Sequence, residues 1–223
     1  MSVSTQDMRN AWAPPCSSSR LRTIPLGVNG ARISVDYRTV PAFMLLGAIM
    51  VAHDYVIRAG DTGAYNCRII TGGSGYSLHA YGIAADVNWQ SNPYSSHLIT
   101  NMPPAMIRDI EAIRTRGGVP VFRWGGRYSG SKDAMHFEIV ATPAQLAAGL
   151  QGGTDNMPLN AEDLDKIRGI VQANNDETQE VVRTWGKAVL DYGDAVAAAS
   201  GVNKEKVAAK LEPKTKQFLS QVR

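Results

Sequence analysis

The chain lacks most of the features that sort a protein at a glance. It has only two cysteines in 223 residues, Cys16 and Cys67, too few for a disulfide-built scaffold or a cysteine zinc finger. Two free thiols is the plain reading of the pair. A bridge would suit a protein that works outside a cell, and the spacing does not choose between them. No long hydrophobic run is present: the strongest, VPAFMLLGAIMVA from Val40 to Ala52, is short of the roughly 20 residues that cross a bilayer and reads as a core helix that starts after Pro41. The opening stretch, MSVSTQDMRNAWAPPCSSSR, has no apolar core behind a basic start, so synthesis in a cytoplasm without a secretory signal is the expectation. Charge of one sign is also missing. The net charge is +3 and aromatic residues make up 7%, without the clustered Lys and Arg interleaved with aromatics that nucleic acid requires.

What is present is the composition of a globular protein, 44% hydrophobic and 19% charged, long enough to bury a core without staples. Charge is unevenly spread. Residues 1–153 carry 13 basic against 9 acidic side chains, and residues 154–223 carry 10 against 11. The polar, Gly-containing stretch QGGTDNMP, Gln151 to Pro158, reads as a linker. The expected organisation is therefore a domain over 1–150, a linker over 151–158 and a tail over 159–223.

The first domain reads as α+β, a small antiparallel sheet flanked by helices. Helices are expected around 41–57 and 103–116, and strands near 66–70, 83–89, 119–123 and 135–140. The tail reads as a helical C-terminal segment, with Asn160 as a cap and apolar stripes at Leu164, Ile167 and Val171, then at Val181, Val182, Trp185 and Leu190. Such faces dock on the first domain or on a second copy of the chain, as a homo-oligomer or an assembly element.

The chemistry concentrates in SLHAYGIAADVNW, Ser77 to Trp89. Asp86 lies in a run that otherwise suits a sheet interior, where an unpaired carboxylate costs several kcal/mol. His79 sits in a Gly-bounded turn before it, and Gly82 lets the backbone bend so that both side chains converge. In KDAMHFEIV, residues alternate as strand neighbours do, which puts His136 off one face at a strand start. His79, Asp86 and His136 then make a three-ligand zinc set with one position open for water, the form of a catalytic site, and Asp133 is a carboxylate beside it that does not ligate. His53 and His97 read as ordinary histidines. No His-Glu-any-any-His motif occurs, which excludes the helix-borne arrangement of thermolysin-like enzymes. Trp124 either walls the cleft or belongs to the core.

Ser77, His79, Gly82, Ala84 and Asp86, followed by Asp133 and His136 in DAMH, resemble the two-part signature of the D-alanyl-D-alanine carboxypeptidase family of zinc peptidases. That family includes phage endolysins that cut the L-alanyl-D-glutamate bond of peptidoglycan. GAYNCR, Gly63 to Arg68, and FRWGG, Phe122 to Gly126, look like sequences of the endolysin-like branch, and the resemblance spans roughly residues 40–145. It implies that His79, Asp86 and His136 bind Zn²⁺, that Asp133 is the catalytic carboxylate where many members have Glu, that Arg68 faces the scissile carbonyl, and that Ser77 lines the substrate cleft, with Trp124 a further candidate for its wall. The implied partner is bacterial peptidoglycan, reached by holin-mediated release from the host cytoplasm or as part of a virion. Two alternatives stand beside the lysin: a bacterial D-Ala-D-Ala dipeptidase or carboxypeptidase, and a virion structural protein that keeps the domain for wall binding.

Overall fold

The computed structural model describes residues 4–27, 31–70 and 73–151. The expected tail and all of the linker after Gln151 lie outside the described residues. In chain order the elements are α1 (Thr5–Trp12), β1 (Leu21–Pro25), β2 (Arg32–Asp36), α2 (Val40–Ala52), β3 (Ala84–Asp86), β4 (Tyr94–Ser95), α3 (Pro104–Ala112), β5 (Arg114–Thr115), β6 (Phe122–Trp124), β7 (Lys132–Asp133), β8 (His136–Ile139), α4 (Pro143–Ala147) and β9 (Leu150–Gln151). The fold class is α+β with small antiparallel sheets, as expected.

Local chemistry explains where these elements start. Ser4 and Asp7 close a reciprocal capping box on α1, with Ser4 Oγ accepting from the Asp7 amide at 3.1 Å and Asp7 Oδ2 accepting from the Ser4 amide at 3.0 Å. Proline opens α2, α3 and α4, where its missing N–H costs nothing. α2 has no polar face because it needs none. Phe43, Leu46, Ile49 and Met50 are all buried, and α2 is covered on nearly every side. α3 is half-buried instead, presenting Met106, Ile107 and Ile110 to the core.

The sheet that carries the site has the order β3-β8-β6, antiparallel throughout. Its central strand β8 is buried on both faces. Phe137 and Ile139 point into the apolar core with Trp12, Phe43, Leu46 and Ile83, while His136 and Glu138 point to the other face. Phe43 meets Phe122 edge to face, ring centres 5.5 Å apart, and each fully buried side chain of this size contributes about 1.5–3 kcal/mol.

The structure trims the expected elements and adds others. The helix expected over 41–57 ends at Ala52, and that over 103–116 ends at Ala112. The strand expected over 66–70 reduces to one bridge, Ile69 with Tyr76, because residues 66–70 are exposed and have no sheet to join. Helix α1 and the β1–β2 hairpin were not foreseen. Trp12 anchors α1 to the core, donating its indole N–H to the Ala141 carbonyl at 3.1 Å. The plain reading of Cys16 and Cys67 as free thiols is overturned: they form a disulfide, Cα atoms 5.2 Å apart, which spans 51 positions of sequence. Among the described residues no helix is long and apolar enough to cross a membrane.

Candidate metal centre

Three chain segments meet at the site. Ser77 caps a 3₁₀ turn, Leu78–Tyr81, its Oγ accepting from the His79 amide at 3.3 Å. The turn ends at Gly82, whose φ of +70° is open to glycine, and a Cβ there would stand 2.6 Å from the Asp36 amide nitrogen. The chain then enters β3, which ends on Asp86, directly opposite His136 in the β3–β8 register. Directly opposed residues on antiparallel strands project to the same face, so the register alone brings Asp86 and His136 together and the capped turn carries His79 over them.

Asp86 Oδ1 lies 2.9 Å from His136 Nδ1, Asp86 Oδ2 lies 3.3 Å from His79 Nε2, and the two imidazoles approach to 3.2 Å, His79 Nε2 to His136 Nδ1. One ligand atom from each residue falls within 4.8 Å of the others. The far nitrogens are held as well. His79 Nδ1 is 2.5 Å from the Ala64 carbonyl, which can only accept, so Nδ1 carries the proton and Nε2 turns its lone pair to the centre. His136 Nε2 faces Glu138 Oε2 at 3.4 Å. Two imidazole nitrogens and one carboxylate oxygen, aimed at one point and braced from behind, are a donor set that fits a divalent ion such as zinc.

Electrostatics in the metal-free protein agree with this geometry. Burial works against charge on His136, but hydrogen bonds to Asp86 and Glu138 and the charges of both outweigh it and the pKa is pushed up to about 10. Burial likewise opposes ionisation of Asp86, and its close contacts with His136 and His79 reverse the balance and hold its carboxyl well below the usual range. A proton on His136 thus occupies the place where an ion would bring its positive charge.

Asp133 ends β7, at the turn into β8. Its Oδ1 is buried without a hydrogen-bond partner. Burial raises its pKa, with the neighbouring Asp86 charge adding to the shift and His136 opposing it. Gly125 makes room for this approach: a Cβ there would lie 2.4 Å from the Asp133 carbonyl oxygen, 2.9 Å from Asp133 Cβ and 3.1 Å from His136 Cβ.

Residues 71–139 match the family model of D-alanyl-D-alanine carboxypeptidase. Over that stretch the chain is similar to a family of metal-dependent peptidases. The match takes in just under a third of the chain, narrower than the 40–145 expected, and includes His79, Asp86, Asp133 and His136 but not Arg68. No curated protein and no solved structure matches the chain significantly.

The remaining expected residues fare differently. Arg68 is exposed, and among the described residues its guanidinium makes no hydrogen bond or ion pair; its carbonyl accepts from the Ser77 amide at 3.0 Å, which sets it beside the turn that carries His79. Ser77 is 6% exposed and braces the His79 backbone, so its hydroxyl faces the turn and not a cleft. Trp124, expected on the cleft wall, is 4% exposed and sits in the core; its indole N–H donates to the Ala134 carbonyl at 2.7 Å and braces the turn between Asp133 and His136. The sequence reading passed over Glu138 and Arg123. Glu138 lies two residues beyond His136 on one strand face, a spacing that could have flagged it, and Arg123 is its cross-strand partner.

Proposed function

We propose that the protein is a zinc-dependent peptidase that hydrolyses peptide bonds in the stem peptides of bacterial peptidoglycan. The observation that carries this reading is the convergence of His79, Asp86 and His136 beside Asp133, a second carboxylate with a buried, unpartnered oxygen. In this reading His79 Nε2, an Asp86 oxygen and His136 Nδ1 hold the ion. Bound zinc polarises a carbonyl and lowers the pKa of water from 15.7 to roughly 7. Asp133 accepts the proton of the attacking water on its unpartnered oxygen and delivers it to the leaving amine. The burial that raises its pKa favours the first of these transfers, and such acid–base work contributes roughly a hundredfold or more. Arg68 offers a guanidinium free of other partners among the described residues to the charge that grows on the scissile oxygen. Ser77 and Trp124 act by fixing backbone, the first under His79 and the second between Asp133 and His136.

A phage endolysin or virion-associated lysin is the form of this reading that the sequences Gly63 to Arg68 and Phe122 to Gly126 favour. The Cys16–Cys67 bridge supports action in an oxidising compartment, outside a cytoplasmic membrane. Residues 159–223 would then serve as a wall-binding or assembly element. The family match equally suits cleavage at a terminal D-Ala-D-Ala bond. Purified protein should release new peptide termini from peptidoglycan, stop when chelated, and recover with zinc, and mass spectrometry of the fragments names the bond. Asp133→Ala should bind zinc with wild-type affinity and lose at least a hundredfold in turnover; undiminished turnover in that variant would remove Asp133 from the reaction.

A further inference from the structure

Glu138 is among the most buried charged residues of the described chain, 2% exposed, on the central strand of the sheet. It has two charged neighbours. Its Oε1 accepts from Arg123 Nε across the β6–β8 pair, and its Oε2 faces His136 Nε2 at 3.4 Å. His136 presents its other nitrogen, Nδ1, to Asp86 and His79. The imidazole therefore lies between two carboxylates, one on the metal side and one behind it.

We propose that Glu138 is a positioning residue for the metal centre: anchored by Arg123, it accepts the Nε2 proton of His136 and so holds the ring with Nδ1 toward the ion. The proposal rests on the reading of His79, Asp86 and His136 as the ligand set. Three features favour it over a plain structural ion pair. A buried carboxylate paired with Arg123 alone would gain nothing from a second oxygen aimed at a histidine. The position also demands a group that only accepts, since Arg123 and the His136 Nε2–H are both donors. Finally, fixing the Nε2 proton leaves a metal-facing nitrogen that is a neutral donor with its orientation set, a contribution that typically changes metal affinity 10- to 100-fold.

Glu138→Gln is the informative variant. Glutamine keeps the shape but must turn its NH₂ toward Arg123 or toward His136, so one of the two contacts becomes donor against donor. Zinc affinity of the full chain, measured by competition with a chromophoric chelator, should fall about 10- to 100-fold in this variant, and the d–d absorption of the cobalt-loaded protein should change. Phe43→Leu, in the core and outside the site, is the control for general loosening and should bind zinc as the wild type does. An affinity within about twofold of wild type in Glu138→Gln, or an equal loss in Phe43→Leu, overturns the proposal. The wild-type protein gives a second test that needs no variant: in the zinc-loaded state, ¹⁵N spectra should show His136 Nε2 protonated and slow to exchange. A metal-bound or freely exchanging Nε2 would also overturn it. Absence of zinc binding by the wild type would instead reject the ligand set, a separate outcome.

Discussion

Removing the Cys16–Cys67 bridge should lower stability and loosen the metal centre in a way that can be worked out beforehand. The bridge closes a loop spanning 51 positions. In the chain-entropy account a cross-link of this span removes ~4 kcal/mol of freedom from the unfolded chain, between the values for much shorter and much longer loops. Its placement adds a local effect. Cys16 is hydrogen-bonded to the Ala80 carbonyl at 2.7 Å, and the segment leading to Cys67 supplies the Ala64 carbonyl to His79 Nδ1 and the Asn66 amide to the His79 carbonyl at 3.3 Å. Residues 66–70 are exposed and held otherwise by backbone contacts with residues 75–77. The assay is urea unfolding of wild type and the double variant Cys16→Ser, Cys67→Ser, both with chelator present so that metal binding does not mask the difference. With a slope of roughly 2 kcal/mol per molar, the midpoint should drop by about 2 M, and the double variant should also bind zinc more weakly. A midpoint within about 0.3 M of wild type at unchanged slope would refute the reasoning.

Three further outcomes follow from the site. Because His136 carries a proton in the metal-free protein, zinc binding near neutral pH should release about one proton, read as a buffer-dependent binding enthalpy. The same raised pKa makes metal-free stability greatest, as far as this group contributes, below its unfolded value of 6.5, and that contribution is lost as pH rises through about 10; Asp86, shifted the other way, contributes above 3.8 and loses its share in acid. Urea midpoints of chelated protein across pH test both signs, and a midpoint that climbs steadily from pH 7 to 10 would contradict the His136 assignment. Gly125→Ala should displace the Asp133 backbone, whose carbonyl oxygen would lie 2.4 Å from the new Cβ, and lower turnover along with stability by about 1–3 kcal/mol; unchanged turnover would mean the two segments need not approach so closely. Arg68→Ala should reduce kcat/KM by about a hundredfold while zinc affinity stays level, the pattern of a group that meets charge only in the transition state, and a loss of zinc instead would make Arg68 a support for the fold of the loop.

The candidate trio of His79, Asp86 and His136 was legible because the sequence displays the problem it solves. An aspartate in an apolar strand, Asp86, needs a cationic partner, and Gly82 marks the turn that brings His79 back to it. His136 was legible from alternation along one strand, and Asp133 from its place just before that strand begins. The elements most exposed to tertiary context were read less well. Residues 66–70 look like a strand but pair only with residues 75–77 and join no larger sheet, and α1 depends on Trp12 finding the Ala141 carbonyl far away in sequence. Ser77 and Trp124 were expected to line a cleft, yet both side chains are buried and bind backbone groups, which depends on where their polar atoms end up.

The sequence by itself determined which residue types carry the chemistry: two histidines and two aspartates set by period-two strands and a glycine turn, short-range geometry that a few neighbouring residues enforce. Only the tertiary structure decided which distant groups close around them. The pairing of Cys16 with Cys67 and the contact of Arg123 with Glu138 each join segments whose separation along the chain says nothing of their distance in space, and they form where the β3-β8-β6 sheet and the packing around it bring those segments together.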